Sequence, residues 1–152
     1  VIYRGGVNYD LPGRSVSEIL RAAVDRMPAI EKRADKEVLY QSLIAREQMM
    51  STGVGNGVAI PHPRTPLALG GSAAQIATFF TAGPVDFHAV DKKPVSVLFI
   101  LVAPAAKQHL HLLSRISYCL RDIWFLSLLD QVPDMEALTA QIAEFDARLN
   151  AG

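Results

Sequence analysis

Between Ser51 and Arg64 the chain reads Ser-Thr-Gly-Val-Gly-Asn-Gly-Val-Ala-Ile-Pro-His-Pro-Arg, and no regular helix can pass through it. Gly53, Gly55 and Gly57 open backbone conformations with positive φ, while Pro61 and Pro63 fix φ on either side of His62 and remove two amide donors. The residue before a proline is pushed out of the helical region, so His62 is expected on a stiff, extended backbone after an irregular helix-to-strand connection. Successive N–H groups of such a loop can converge on one anion, which makes Ser51, Thr52, Gly53, Gly55 and Asn56 candidate phosphate-binding residues. The plain alternative is an ordinary flexible loop.

On either side of this break the hydrophobic period changes. Ser15 with Glu18 forms a capping-box pattern, and Val16, Ile19, Leu20, Ala23, Val24 and Met27 recur at helical spacing, which predicts a helix over 16–27. Asp35 is the N-cap candidate of a second helix running toward Met49, with Val38, Leu39, Ser42, Leu43 and Ala45 as its stripe and Arg46 in its last turns. Short apolar runs at Val58–Ile60, Gln75–Thr81 and Val95–Ala103 read as strands, the last apolar on both faces like a central strand. From His109 the period is helical again, with Leu110, Leu113, Ile116, Ser117 and Leu120 on one side. A short helix over 123–130 and a final one after Pro133-Asp134, with Leu138, Ile142, Phe145 and Leu149 as its stripe, complete the pattern. Helices, then strands, then helices argue for a layered α/β domain with helices on both sheet faces.

A chain of 152 residues, half of it apolar, suits one compact domain spanning 1–152. Val1 opens it inside a strand-like run (1–9), which suggests that the native polypeptide begins further upstream. Lys plus Arg equals Asp plus Glu at 15 each, so no global basic field is present to attract nucleic acid or a membrane surface. With no apolar run of about 18 residues, membrane insertion is not expected. The single Cys119 cannot form an internal disulfide and fits a reducing, cytoplasmic setting as a buried thiol.

The glycine segment lacks the Gly-Lys-Ser/Thr ending of a Walker loop, and Val58 fails the dinucleotide pattern, so nucleotide binding is not expected. A neutral imidazole at His62 offers one free lone pair that could attack phosphorus or bind a metal, or simply accept a structural hydrogen bond. His88 reads as a solvated turn residue. His109 and His111, two apart, would point to different faces of a helix. A metal-dependent hydrolase would need several converging ligands, and the chain has no His-Glu-x-x-His and no Cys pair. Arg46 precedes the glycine segment closely enough to bind a phosphoryl group through two N–H donors, its plain alternative being a surface pair with Glu47.

The run Leu43 to His62, with Arg46-Glu47 and then Ser-Thr-Gly-Val-Gly-Asn-Gly-Val-Ala-Ile-Pro-His, resembles the active-site signature of the IIA proteins of the bacterial phosphoenolpyruvate:sugar phosphotransferase system, of the fructose/mannitol/nitrogen-regulatory class. Pro84–Phe87, Asp91–Val95 and His109–Ser114 resemble later blocks, and the likeness covers about residues 7–147. The resemblance implies a three-layer α/β/α fold with a mixed central sheet, a phosphorylatable histidine at His62, an arginine at Arg46 and a second histidine beside the first at His109. It implies no metal and no cofactor, a donor like the phosphocarrier HPr, and a IIB domain or a regulatory target as acceptor. Pro63 departs from the small residue common there, which would bear on donor approach. Similar domains also follow DNA-binding modules in bacterial regulators, so a non-catalytic sensor domain is the second expectation. On either reading His62 should be exposed at a strand end, in a shallow site, with His109 within reach.

Overall fold

The computed structural model describes residues 6–67, 69 and 74–151, and the chain divides into one compact unit up to Leu110 and a second from His111. The first holds β1 (Val7–Leu11), α1 (Val16–Asp25), α2 (Arg33–Met49), β2 (Gly53–Gly55), β3 (Val58–Ala59), β4 (Gln75–Val85) and β5 (Val95–Val102). Its sheet has five strands in the order β1-β4-β5-β3-β2. β1 runs parallel to β4 and β3 parallel to β5, whereas β4/β5 and β2/β3 are antiparallel. The expected α/β class with a mixed sheet is therefore what the chain forms. The opening residues 1–5 of the expected first strand lie outside the described residues.

The strands are held by side chains from two helices. Ile19, Leu20, Ala23 and Val24 of α1 and Leu39 and Leu43 of α2 join Ala77, Phe79, Leu98 and Ile100 of the sheet in one buried cluster. Burying a side chain of this size contributes roughly 1.5–3 kcal/mol, so these contacts hold the two helices to the sheet. On α1 the expected stripe is the observed one. Ser15 is its N-cap, accepting from the Glu18 N–H at 3.2 Å, while the Glu18 carboxylate takes the Arg14 N–H at 2.8 Å. Ser15→Ala is expected to cost about 1 kcal/mol, read as a shift in the denaturant midpoint with unchanged m-value; an unmoved midpoint would mean that the cap contributes nothing.

Two expectations need correction. The second helix starts at Arg33, with Lys32 as an N-cap that makes no side-chain bond, so Asp35 is inside the first turn and not the cap. Its buried face is Leu39 and Leu43 with Tyr40 and Ile44 against them, while Val38 and Ala45 face out. The helical period admits two adjacent stripes here because apolar residues occur on both, and the sheet selects one.

α3 (Ala106–Cys119) carries the chain from the first unit into the second, which continues with α4 (Ile123–Asp130) and α5 (Met135–Ala151). The buried positions of α3 are His109, Leu112, Ile116 and Cys119, whereas Leu110, expected on the inner side, is exposed. Asp122 caps α4 through the Trp124 and Phe125 N–H groups, and Asp134 takes the Ala137 N–H at the start of α5. Phe145 stands edge-on to Phe125 and to Tyr118 at centroid distances of 5.5 and 5.9 Å. Leu138, Ile142 and Phe145 are buried as expected; the side chain of Leu149 lies outside the described residues.

Candidate active site

The glycine segment is not a loose connection. Asn56 and Gly57, with φ of 57° and 79°, turn β2 back onto β3 as a two-residue hairpin. Both central residues need positive φ in such a turn, which Asn-Gly supplies at least cost. Gly53 is required for a different reason: a Cβ there would stand 2.8 Å from the Ala89 Cβ, so only glycine lets β2 approach the 86–91 loop.

Three amides of this segment, those of Thr52, Gly53 and Asn56, are engaged within the chain. The Thr52 N–H donates to the Glu47 carboxylate at 2.8 Å, and the Thr52 hydroxyl donates to its second oxygen at 2.5 Å. Ser51 Oγ donates to the Phe87 carbonyl and receives the Gly53 N–H at 3.0 Å. The Asn56 N–H donates to Asp91 Oδ2 at 2.8 Å, the same carboxyl oxygen that a Cβ on Gly55 would approach to 3.2 Å.

Beyond β3 the chain stays extended along β5. The Ile60 N–H donates to the Thr52 carbonyl and the Pro61 carbonyl accepts from the Leu101 N–H, each at 3.0 Å. Pro61 and Pro63 are buried, so the chain on both sides of His62 is fixed. His62 itself is half-buried rather than exposed. Its Nδ1 lies 2.7 Å from the Ile60 carbonyl oxygen. A carbonyl only accepts, so Nδ1 carries the hydrogen of the neutral ring and the lone pair resides on Nε2.

The structure places His109 beside it. The two rings are 5.3 Å apart between centroids, inclined at 61°. His109 is 9% exposed and its Nδ1 has no hydrogen-bond partner. Arg46, in the last turn of α2, donates from Nη1 to the Met50 carbonyl at 2.7 Å, and its charge is felt at the His62 ring. The alternative pairing with Glu47 is not formed, since that carboxylate serves Thr52. His111 is exposed and accepts from Arg115 Nε at 2.9 Å; His88 is exposed, at φ 54°, beside Asp86. Of the candidate histidines, only His62 and His109 are brought together.

Burial lowers the pKa of His62 below its ordinary value; the Ile60 bond opposes this, and the charges of Arg46 and His109 add to the lowering. Burial likewise lowers His109. Both rings are therefore neutral near pH 7. An unfolded chain would protonate these rings near pH 6.5, before the folded one does, so their contribution to stability is intact above about pH 6.5 and declines as pH falls from there through the lowered native values. Imidazole C–H resonances should titrate below 6.5 for both residues. A midpoint above 6.5 at His62 would show that burial is not the dominant influence.

Among the described residues no three His, Cys, Asp or Glu side chains converge in a way that could hold a metal ion, and no helix is long and apolar enough to cross a membrane. The family model described as phosphoenolpyruvate-dependent sugar phosphotransferase system, EIIA 2, matches residues 3–145. A nitrogen regulatory protein of Pseudomonas aeruginosa is 36% identical over 132 residues, which cover 85% of this chain and 83% of that protein. The crystal structure of nitrogen regulatory protein IIA-Ntr from Neisseria meningitidis superposes with a TM-score of 0.75 at 33% identity, over 90% of this chain and 92% of that one. Enzyme IIA mannitol of Escherichia coli, solved in complex with phosphorylated enzyme IIB mannitol, shares the fold at a TM-score of 0.69 and 12% identity, over 91% of this chain and 94% of the other.

Proposed function

Because the chain belongs to the EIIA type-2 family of the phosphoenolpyruvate-dependent sugar phosphotransferase system, we propose that it is a phosphocarrier whose acceptor atom is Nε2 of His62. The observation that carries this is the Nδ1–H bond of His62 to the Ile60 carbonyl, which commits the neutral ring to presenting a lone pair on Nε2. As the Nε2–P bond forms, the donor's P–N bond breaks and its electron pair leaves with the donor's ring. The acceptor imidazole thereby becomes cationic, and the Ile60 carbonyl stabilises that charge through the hydrogen that stays on Nδ1.

Phosphoryl transfer asks mainly for positioning and charge stabilisation, and this reading calls for no metal or organic cofactor. Arg46 spends one donor on Met50 and has others for the phosphoryl oxygens. His109, whose ring lies 5.3 Å from that of His62 between centroids, is the second histidine of this site. Ser51, Thr52, Gly53, Gly55 and Asn56 enter this reading as the hairpin that aligns the acceptor, since the amides of Thr52, Gly53 and Asn56 are already bonded within the chain.

The donor in this proposal is an HPr-like phosphocarrier in the cytoplasm. The likeness to nitrogen regulatory proteins favours a regulatory target over sugar uptake as the recipient, with a IIB domain as the other. Incubation with labelled phosphoenolpyruvate, the general phosphotransferase enzyme and HPr tests it. An acid-labile, alkali-stable label on the protein is the expected result; a protein that binds a partner yet never takes label would be a sensor domain instead.

A further inference from the structure

Three consecutive hydrogen bonds connect a carboxylate on α2 to the acceptor ring. The Glu47 carboxylate accepts from the Thr52 N–H at 2.8 Å. The Thr52 carbonyl accepts from the Ile60 N–H at 3.0 Å. The Ile60 carbonyl accepts from His62 Nδ1 at 2.7 Å. The Glu47 carboxylate also receives the Thr52 hydroxyl, so Thr52 is gripped at two points by one charged group. Glu47 stands next to Arg46, whose guanidinium is pinned to Met50 in the same stretch of chain.

We infer that Glu47 is a positioning residue: by fixing Thr52 it fixes the Ile60 peptide, and through the Ile60 carbonyl it sets both the tautomer and the direction of the His62 ring. The links run through different peptide units, so what is transmitted is position and not charge. A carboxylate suits the task because both of its oxygens only accept, and Thr52 presents two donors, N–H and O–H, a side-chain length away. The inference rests on His62 being the acceptor, but its first consequence, a single tautomer at His62, exists before any phosphoryl group arrives.

The test compares three variants by two measurements. Long-range 1H–15N correlation spectra of the unphosphorylated protein report the His62 tautomer, and rapid-quench labelling by phosphorylated HPr reports kcat and KM. In Glu47→Ala the spectrum should change from one tautomer, hydrogen on Nδ1, to a mixture, with kcat lowered 10- to 100-fold on the scale where a 1 Å misplacement costs about 10²-fold, and with KM for HPr little changed. Glu47→Gln should behave like the wild type, because its amide oxygen can accept from the Thr52 N–H while its amide N–H donates to the Thr52 hydroxyl oxygen, which turns to receive it. Glu47→Asp keeps the charge but falls short of Thr52, and should resemble Glu47→Ala; it is the deciding variant if the alanine protein does not fold. A His62 ring that keeps one tautomer, together with an unchanged kcat, in either short variant would overturn the inference. Failure of the parent reading looks different: the wild type would take no label while the tautomer still responded to Glu47.

Discussion

Replacing His62 with alanine is expected to abolish phosphoryl acceptance completely while leaving the fold in place. Among the described residues no other histidine is held through Nδ1 by the Ile60 carbonyl. His109 lies beside His62, but it is only 9% exposed and its Nδ1 is buried. The substitution removes one hydrogen bond and leaves the Ile60 carbonyl to find water, which costs on the order of 1 kcal/mol. Circular dichroism and the denaturant midpoint should therefore stay near the wild type while label from phosphorylated HPr disappears. Equal labelling of His62→Ala would place the acceptor elsewhere.

Arg46→Ala is expected to slow transfer by about 10²–10³-fold without abolishing it, the usual cost of deleting a donor aimed at developing charge. The same change should let the His62 pKa rise slightly, because the Arg46 charge helps to hold it down. Arg46→Lys separates charge from shape. Lysine keeps the positive charge but cannot hold the Met50 carbonyl and a phosphoryl oxygen with a planar fork, so it should recover only part of the rate. A lysine variant as fast as the wild type would mean that charge alone is enough, and an unchanged Arg46→Ala would return this arginine to a purely structural bond with Met50.

Much of the fold was legible because its determinants are local and periodic. The α1 stripe and its capping box, and the strand runs at 75–81 and 95–103, came directly from spacing, and the structure reproduces them with shifts of a few residues at their ends. What could not be read was which of two neighbouring faces a helix buries. Val38 and Leu39 are both apolar, as are Leu110 and Leu112, and only the tertiary partner decides between them. The same ambiguity hid why His109 rather than His111 belongs with His62; the i, i+3, i+7 series His109, Leu112, Ile116 was the available signal. The hairpin was missed although Asn56-Gly57 is a strong turn signal, because three glycines so close together read as freedom rather than as a tight turn. Glu47 is marked in the sequence only by the Arg46-Glu47 pair of the resemblance, and its spacing gives it no partner. Its partner Thr52 is five residues on, beyond helical spacing, and only the end of α2 brings the two together.

On the proposed reading, phosphorus is accepted on Nε2 of His62 by a ring whose other nitrogen is held by the Ile60 carbonyl. Long-range 1H–15N spectra of the protein after phosphorylation through HPr test this most directly, since the 15N shifts of the modified ring distinguish Nε2 from Nδ1. One modified histidine, His62, is expected, with phosphorus on Nε2 and hydrogen retained on Nδ1. Phosphorus on Nδ1 of His62, or on any other residue, would contradict it.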